Sequence, residues 1–169
     1  MAEGFLRDQA ERRGLDIDVR STGTHAWNGR AATIDGRRVM AELGVPIDNH
    51  RTLELDRDLI DWADLAICLA TEHLRETTRA FPDARGKTFT LKGFLEILPS
   101  LPDCEDTVAW LSAAGAQQQV AEALPPQAAD VDDPFGEREA AYRRVAFEIR
   151  DLVELLAQGL EEKRVGART

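Results

Sequence analysis

The stretch VDDPFG, residues 131–136, combines a carboxyl group, a proline and an aromatic ring in an order that suits proton transfer. Pro134 disfavours the α conformation at Asp133, so Asp133 is predicted to project from a loop just before a long helix. Phe135 adds an aromatic surface beside it. A carboxyl group placed in this way can act as a general acid. The same residues also form a common turn and helix-entry signal, and their chemistry alone leaves both interpretations open.

The two cysteines are poor candidates for a nucleophile. Cys68 lies inside the apolar run LAICLA, where burial is expected to raise the pKa of the thiol. Cys104 lies in DCED, where neighbouring carboxylates oppose a negative thiolate. Neither cysteine begins a C-x5-R motif, because Leu74 and Trp110 occupy the sixth position after each.

The three histidines, His25, His50 and His73, show no spacing typical of metal ligands, and no cysteine pair accompanies them. We therefore expect no metal site and no organic cofactor. Trp27 stands out among the tryptophans, because it lies in the polar stretch GTHAWNGRAAT instead of an apolar one.

Composition excludes several classes of protein. The 169 residues carry a formal net charge of −10, which disfavours nucleic acid or an anionic membrane as the main partner. No apolar run approaches the roughly 20 residues of a membrane span, and the first residues do not resemble a signal peptide. With only two cysteines, the sequence favours the cytoplasm.

Helices and strands alternate along the chain. The patterns predict strands at Asp16–Thr22, in DLAICLA (64–70) and in GKTFTL (86–91), and helices at Ala2–Arg13, Ile34–Leu43, after Thr71 as N-cap, at Glu105–Gln119 and at Glu137–Leu160. The last helix has an apolar stripe of Val145, Ile149, Leu152, Val153, Leu156 and Leu160. This alternation predicts an α/β fold with a mostly parallel sheet flanked by helices, and ligands beyond the carboxyl ends of the strands.

Several segments, in this order, resemble low-molecular-weight protein-tyrosine phosphatases of the actinobacterial type: MAEGFLR, STGTHAW, HR, ADLAICLATEHL, KTFTLKGF and VDDPFG. The resemblance implies a single domain over residues 1–160, an inserted Ala-, Pro- and Gln-rich helical segment at 99–130 and a frayed tail at 161–169. It also implies a four-stranded, three-layer parallel sheet and hydrolysis of phosphomonoesters through a cysteinyl-phosphate intermediate.

The resemblance also assigns roles to particular residues. Asp133 matches the general acid that protonates the leaving group, and Phe135 matches the aromatic residue that packs against the substrate. Trp27 and Asn28 fall in the variable lip of the substrate pocket. His50 matches a histidine that supports the phosphate-binding loop. The implied substrate is a protein carrying phosphotyrosine or phosphoarginine, and the oligomeric state stays open.

The chain departs from the family pattern at its start. In the family, a central first strand and a C-x5-R-[ST] loop precede a helix that begins like MAEGFLR, and here Met1 follows directly on that position. The nucleophile and the phosphate-binding arginine are therefore not among the 169 residues. We expect a gene whose true start lies upstream, so that the printed chain alone is inactive.

Two other hypotheses remain. The short chain could be an inactive remnant that acts as a binding module. An arsenate-reductase-like relay on the same fold is less favoured, because it needs paired cysteines late in the chain and none follows Cys104.

Overall fold

The computed structural model describes residues 1–121 and 130–165, and for residues 118–121 it describes the backbone alone. Helix α1 spans Ala2–Arg13, as predicted, and has no side-chain hydrogen bond at its N-cap. It ends at Gly14, whose φ of +67° is a left-handed conformation that glycine adopts without a Cβ penalty.

The strand predicted at Asp16–Thr22 does not form. These residues have no regular secondary structure and belong to no ladder, and the carbonyl oxygen of Val19 accepts instead from Nε of Arg7 on α1, at 3.0 Å. A strand is defined by its backbone partners, and the apolar pattern of a segment does not supply them. Among the described residues, the four-stranded sheet implied by the family is therefore reduced to two strands.

The backbone divides into two compact units, of which the first comprises Met1–Leu55 and Val131–Gln158. Helix α2 spans Ile34–Glu42 and is capped by Thr33, whose hydroxyl oxygen accepts from the amide of Gly36 at 3.2 Å.

In the same unit, Val39 of α2 packs with Tyr142 and Ala146, which lie on the last helix. Two ion pairs flank this apolar contact, Arg38 with Glu139 and Arg143 with Glu42, each at 2.7 Å. The apolar contact and the ion pairs together attach the last helix to α2.

The second unit comprises Asp56–Asp130 and Gly159–Val165 and contains the sheet. Strands β1 (Ala66–Cys68) and β2 (Thr88–Thr90) are parallel, with Ile67 opposite Phe89. Among its described residues, this unit contains α3 (Arg57–Trp62), α4 (Thr71–Ala80), α5 (Leu91–Ile97) and α6 (Thr107–Ala121). Helices α4 and α5 pack against the two strands. The α/β class with a parallel sheet is thus confirmed.

The core of the second unit is built around Phe94, which is fully buried. Its ring meets Phe89 and Trp110 edge to face, with centroids 5.0 Å and 5.9 Å away. Trp110 lies on α6, within the segment predicted as an insertion, so that helix contributes to the core.

Helix α7 spans Glu139–Glu162, and five of the six residues predicted for its apolar stripe are buried, Leu152 being half-buried. The prediction of a frayed tail differs from the structure at its start, because Glu161 and Glu162 are helical and the carbonyl of Lys163 accepts from the amide of Cys104 at 2.7 Å. Residues 122–129 and 166–169, which fall in the predicted insertion and tail, lie outside the described residues. The prediction of a single domain over residues 1–160 stays a prediction.

We predict that Gly115→Ala destabilises the protein although alanine is the better helix former. A Cβ at Gly115 would lie 2.7 Å from the carbonyl oxygen of Gly86, and backbone cannot move aside cheaply. Overpacking of this kind costs about 1–3 kcal/mol, against a gain in helix propensity of about 1 kcal/mol. Chemical denaturation should therefore give a lower free energy of unfolding.

The control is Gly86→Ala on the other side of the same contact, where a Cβ would meet open space. We expect that variant to unfold within about 0.5 kcal/mol of wild type. Equal effects of the two substitutions would contradict the packing described here.

Candidate active site

The loop before α7, residues 131–136, is fixed by two buried residues and presents two exposed ones. Val131 and Pro134 are buried, whereas Asp133 is exposed and Phe135 is 76% exposed. Oδ1 of Asp133 accepts from the amide of Phe135 at 2.9 Å, which closes a tight turn. The carboxyl group and the ring are therefore presented together by one short loop, as the sequence predicts.

The neighbouring carboxyl group, that of Asp132, is already engaged. Its Oδ2 lies 2.9 Å from Nη1 of Arg144 on α7. Asp133 has no ion pair with any residue that the structure describes, and its Oδ1 is used only within its own turn. Of the two adjacent acids, Asp133 is therefore the one available to another molecule.

Trp27 and Asn28 form an exposed loop that is attached to the segment 51–54. The Trp27 ring is 69% exposed, and the guanidinium of Arg30 lies 4.0 Å from its centroid, a cation–π contact. Oδ1 of Asn28 accepts from the amide of Glu54 at 2.6 Å, and the hydroxyl of Thr52 donates to the carbonyl of Trp27. Asn28 thus supports the loop, and its predicted contact with substrate stays a prediction.

His50 contacts the first turn of α1. Its Nδ1 lies 3.4 Å from Oε2 of Glu3, and the hydroxyl of Ser21 donates to that same oxygen. Oε1 of Glu3 pairs with Nη1 of Arg7 at 2.9 Å. Burial lowers the pKa of His50 below its usual range, and Glu3 opposes this shift only in part. His50 is therefore neutral at pH 7, and its contact with Glu3 connects the segment around residue 50 to the first turn of α1. Its predicted role in supporting a phosphate-binding loop stays a prediction.

Cys68 differs from a catalytic thiol. It ends β1 and is half-buried, and burial raises the pKa of its thiol to about 11, although a hydrogen bond with Thr77 acts in the opposite direction. The raised pKa agrees with the prediction for Cys68. At neutral pH this thiol is protonated and a weak nucleophile.

No group of three or more His, Cys, Asp or Glu residues in the described part of the chain is arranged to hold a metal ion. In the same part of the chain, no helix is both long and apolar enough to cross a membrane.

Comparison with known proteins decides the family. Residues 1–106 match the family described as low molecular weight phosphotyrosine protein phosphatase. The chain belongs to this family. It is a protein phosphatase by family, of the group that acts on tyrosine or arginine phosphate.

Two curated relatives are protein-arginine-phosphatases. The one from Geobacillus stearothermophilus is 27% identical over 148 residues, which cover 88% of this chain and 80% of the relative. The one from Bacillus subtilis is 27% identical over 164 residues, which cover 97% and 89%. A solved structure of the YwlE arginine phosphatase, a cysteine-to-serine mutant with a phosphorylated active-site serine, superposes with a TM-score of 0.74 at 26% identity and covers 96% of this chain and 88% of that one.

Sequence reasoning missed two residues of this phosphatase-family chain, Glu3 and Asp130. Glu3 binds His50, Ser21 and Arg7 at once, and its place in the first turn of α1 was the available signal, because acids are favoured there. Asp130 is bound to Thr71, 59 residues earlier, and no local pattern predicts that contact.

We predict that the free energy of unfolding falls as the pH is lowered from about 7.5 to about 5.5, in part because of His50. Its pKa is lower in the folded protein than the unfolded value of about 6.5, so the unfolded state binds more protons in this window. The stability that neutral His50 preserves at high pH is therefore lost as the pH falls. His50→Gln should make the decline shallower in urea titrations.

The matched control is His73→Gln, because His73 is an exposed histidine on α4. That variant should follow the wild-type curve. If His50→Gln also follows it, the burial of His50 does not contribute to the pH dependence.

Proposed function

We propose that this chain carries the general acid and part of the substrate-contacting surface of a protein phosphatase, with Asp133 as the acid. The observation that carries the proposal is the loop 131–136, in which buried Pro134 fixes an exposed carboxyl group beside the exposed Phe135 ring. Asp132 is bound to Arg144, which supports Asp133 as the donor.

The proposed reaction follows the two-step mechanism of the family. A thiolate outside the 169 residues attacks phosphorus, and the bond from phosphorus to the leaving oxygen or nitrogen breaks. Asp133 transfers its proton to the leaving atom, so that tyrosine departs as its neutral phenol and arginine departs as its guanidinium. Water then attacks the phosphorus of the phosphocysteine and the carboxylate of Asp133 accepts its proton. The bond from sulfur to phosphorus breaks, which releases inorganic phosphate and restores the thiolate.

The substrate is a phosphorylated protein side chain. Phosphoarginine is the first to test, because the two relatives that match over most of this chain are protein-arginine-phosphatases. Phosphotyrosine is the alternative, and relatives described as low molecular weight protein-tyrosine-phosphatases match over 47–54% of the chain. Parallel assays with one peptide carrying either group separate these two substrates.

We predict that residues 1–169, purified alone, do not hydrolyse p-nitrophenyl phosphate, whereas the protein extended by its upstream in-frame codons does. The reason is the nucleophile: the thiol of half-buried Cys68, with a pKa raised to about 11, is protonated at neutral pH, and neither cysteine begins a C-x5-R motif. Hydrolysis by residues 1–169 that disappears in Cys68→Ser or Cys104→Ser would contradict this. A stop codon immediately before Met1 would instead favour the inactive binding module.

In the extended protein, Asp133→Asn should lower kcat/KM for a phosphotyrosine peptide by about 100-fold or more, the range for a lost general acid. The loss should be smaller for p-nitrophenyl phosphate, because p-nitrophenolate departs without a proton. Binding of inorganic phosphate should survive, because Asp133 does not hold the phosphate in this scheme.

The control for that experiment is Asp132→Asn, which removes a carboxyl one residue away and breaks only the contact with Arg144. Its kcat/KM should stay within a few-fold of wild type. If Asp132→Asn shows the large loss and Asp133→Asn does not, the acid is Asp132 and the assignment made here is wrong.

A further inference from the structure

Helix α4 begins without a cap of its own. Ala70 occupies the N-cap position and has no side-chain hydrogen bond, so the prediction that Thr71 is the N-cap is wrong, and Thr71 is the first residue of the helix. Amides in the first turn of a helix need an acceptor from elsewhere. Asp130 supplies it: its Oδ1 accepts from the amide of Thr71 and from the Thr71 hydroxyl, each at 2.6 Å.

A second contact binds the backbone of the same residue. Nζ of Lys92, on α5, donates to the carbonyl oxygen of Asp130 at 2.7 Å. Asp130 is therefore bound through its side chain to α4 and through its main chain to α5.

These two helices follow the two strands directly. Helix α4 begins three residues after β1 ends at Cys68, and α5 begins at the residue after β2 ends at Thr90. The contacts of Asp130 thus lie at the carboxyl ends of both parallel strands, the edge at which α/β folds place their reactive groups.

The carboxylate of Asp130 is charged at neutral pH. The hydrogen bonds from the Thr71 hydroxyl and amide lower its pKa, and the positive charges of Lys92 and Arg75 add to the shift. A charged acceptor makes a stronger cap than a neutral one would.

We propose that Asp130 is a positioning residue for the general acid: its bonds to Thr71 and Lys92 fix the start of the loop that carries Asp133. This rests on the proposed function, in which Asp133 donates the proton. Three residues of chain span about 10 Å at most, so the position of residue 130 restricts where Asp133 can lie. A displacement of about 1 Å can cost about 100-fold in rate.

The experiment compares two substrates of the extended protein, phenyl phosphate and p-nitrophenyl phosphate. A displaced acid harms the first more, because phenolate needs the proton and p-nitrophenolate does not. We expect Asp130→Ala to lower the ratio of kcat/KM for phenyl phosphate to kcat/KM for p-nitrophenyl phosphate by about tenfold. This ratio reports the step in which the leaving group departs, because hydrolysis of the phosphocysteine is common to both substrates. Asp130→Asn should largely restore the ratio, since its amide oxygen can accept the same two hydrogen bonds.

The matched control is Asp56→Ala. Asp56 is also an exposed helix-capping carboxylate, and its Oδ1 accepts from the amide of Leu59 at 2.9 Å at the start of α3. Asp56→Ala removes a comparable capping hydrogen bond but no contact of the loop that carries Asp133. The Asp56→Ala ratio should equal that of wild type even where its melting temperature falls.

The possible outcomes separate the positioning role of Asp130 from the proposed function of Asp133. If Asp133→Asn lowers the ratio but Asp130→Ala behaves like Asp56→Ala, the positioning role is overturned and the proposed function stands. If Asp133→Asn leaves the ratio unchanged, the proposed function fails, and the positioning role fails with it. Should Asp130→Ala not fold, Thr71→Val removes one of the two hydrogen bonds and must lower the ratio in the same direction, or the proposal is wrong.

Discussion

The conformation of residues 133 and 134 is the constraint on which the candidate site depends. Proline disfavours the α conformation at the residue before it, so Asp133 lies outside α7. Pro134 is buried, which anchors the loop. The exposed carboxyl of Asp133 and the exposed ring of Phe135 follow from that one fixed turn.

Several of the candidate side chains are bound by residues far away in the sequence. Asn28 of the Trp27 loop accepts from Glu54, His50 contacts Glu3, and Asp130 binds Thr71. These are charge-assisted or backbone hydrogen bonds on exposed or half-buried groups, so they contribute more to position than to the total stability. The stability comes from apolar contacts such as those of Phe94 in the second unit and of Val39 with Tyr142 in the first.

The sequence predicts this protein well where the determinants are local. Helix α1 was predicted to the residue and α7 to within two, because apolar spacing and Gly14 report directly on helices and their ends. Asp133 and Phe135 are two residues apart in the sequence, on either side of Pro134, so one local turn predicts the exposure of both. Cys68 lies in an apolar run, and partial burial raises the pKa of its thiol, as the run predicts.

Prediction from the sequence fails where a contact with a residue distant in the sequence determines the structure. Asp16–Thr22 has the composition of a strand but no ladder in the described residues, and the Val19 carbonyl binds Arg7 instead. The N-cap was assigned to Thr71 because threonine is a good cap, yet the acceptor comes from Asp130, 59 residues away. No periodicity encodes such contacts, so only the folded structure shows which of the acids in DVDDPFG holds the loop and which faces outwards.

The central claim, that Asp133 is the proton donor, is tested most directly by how kcat/KM of the extended protein depends on the leaving group in a series of aryl phosphates. A general acid weakens that dependence, because the leaving oxygen receives a proton as its bond to phosphorus breaks. The account predicts that Asp133→Asn makes kcat/KM fall steeply as the leaving phenolate becomes more basic. The same weak dependence in Asp133→Asn and in wild type would show that another group donates the proton.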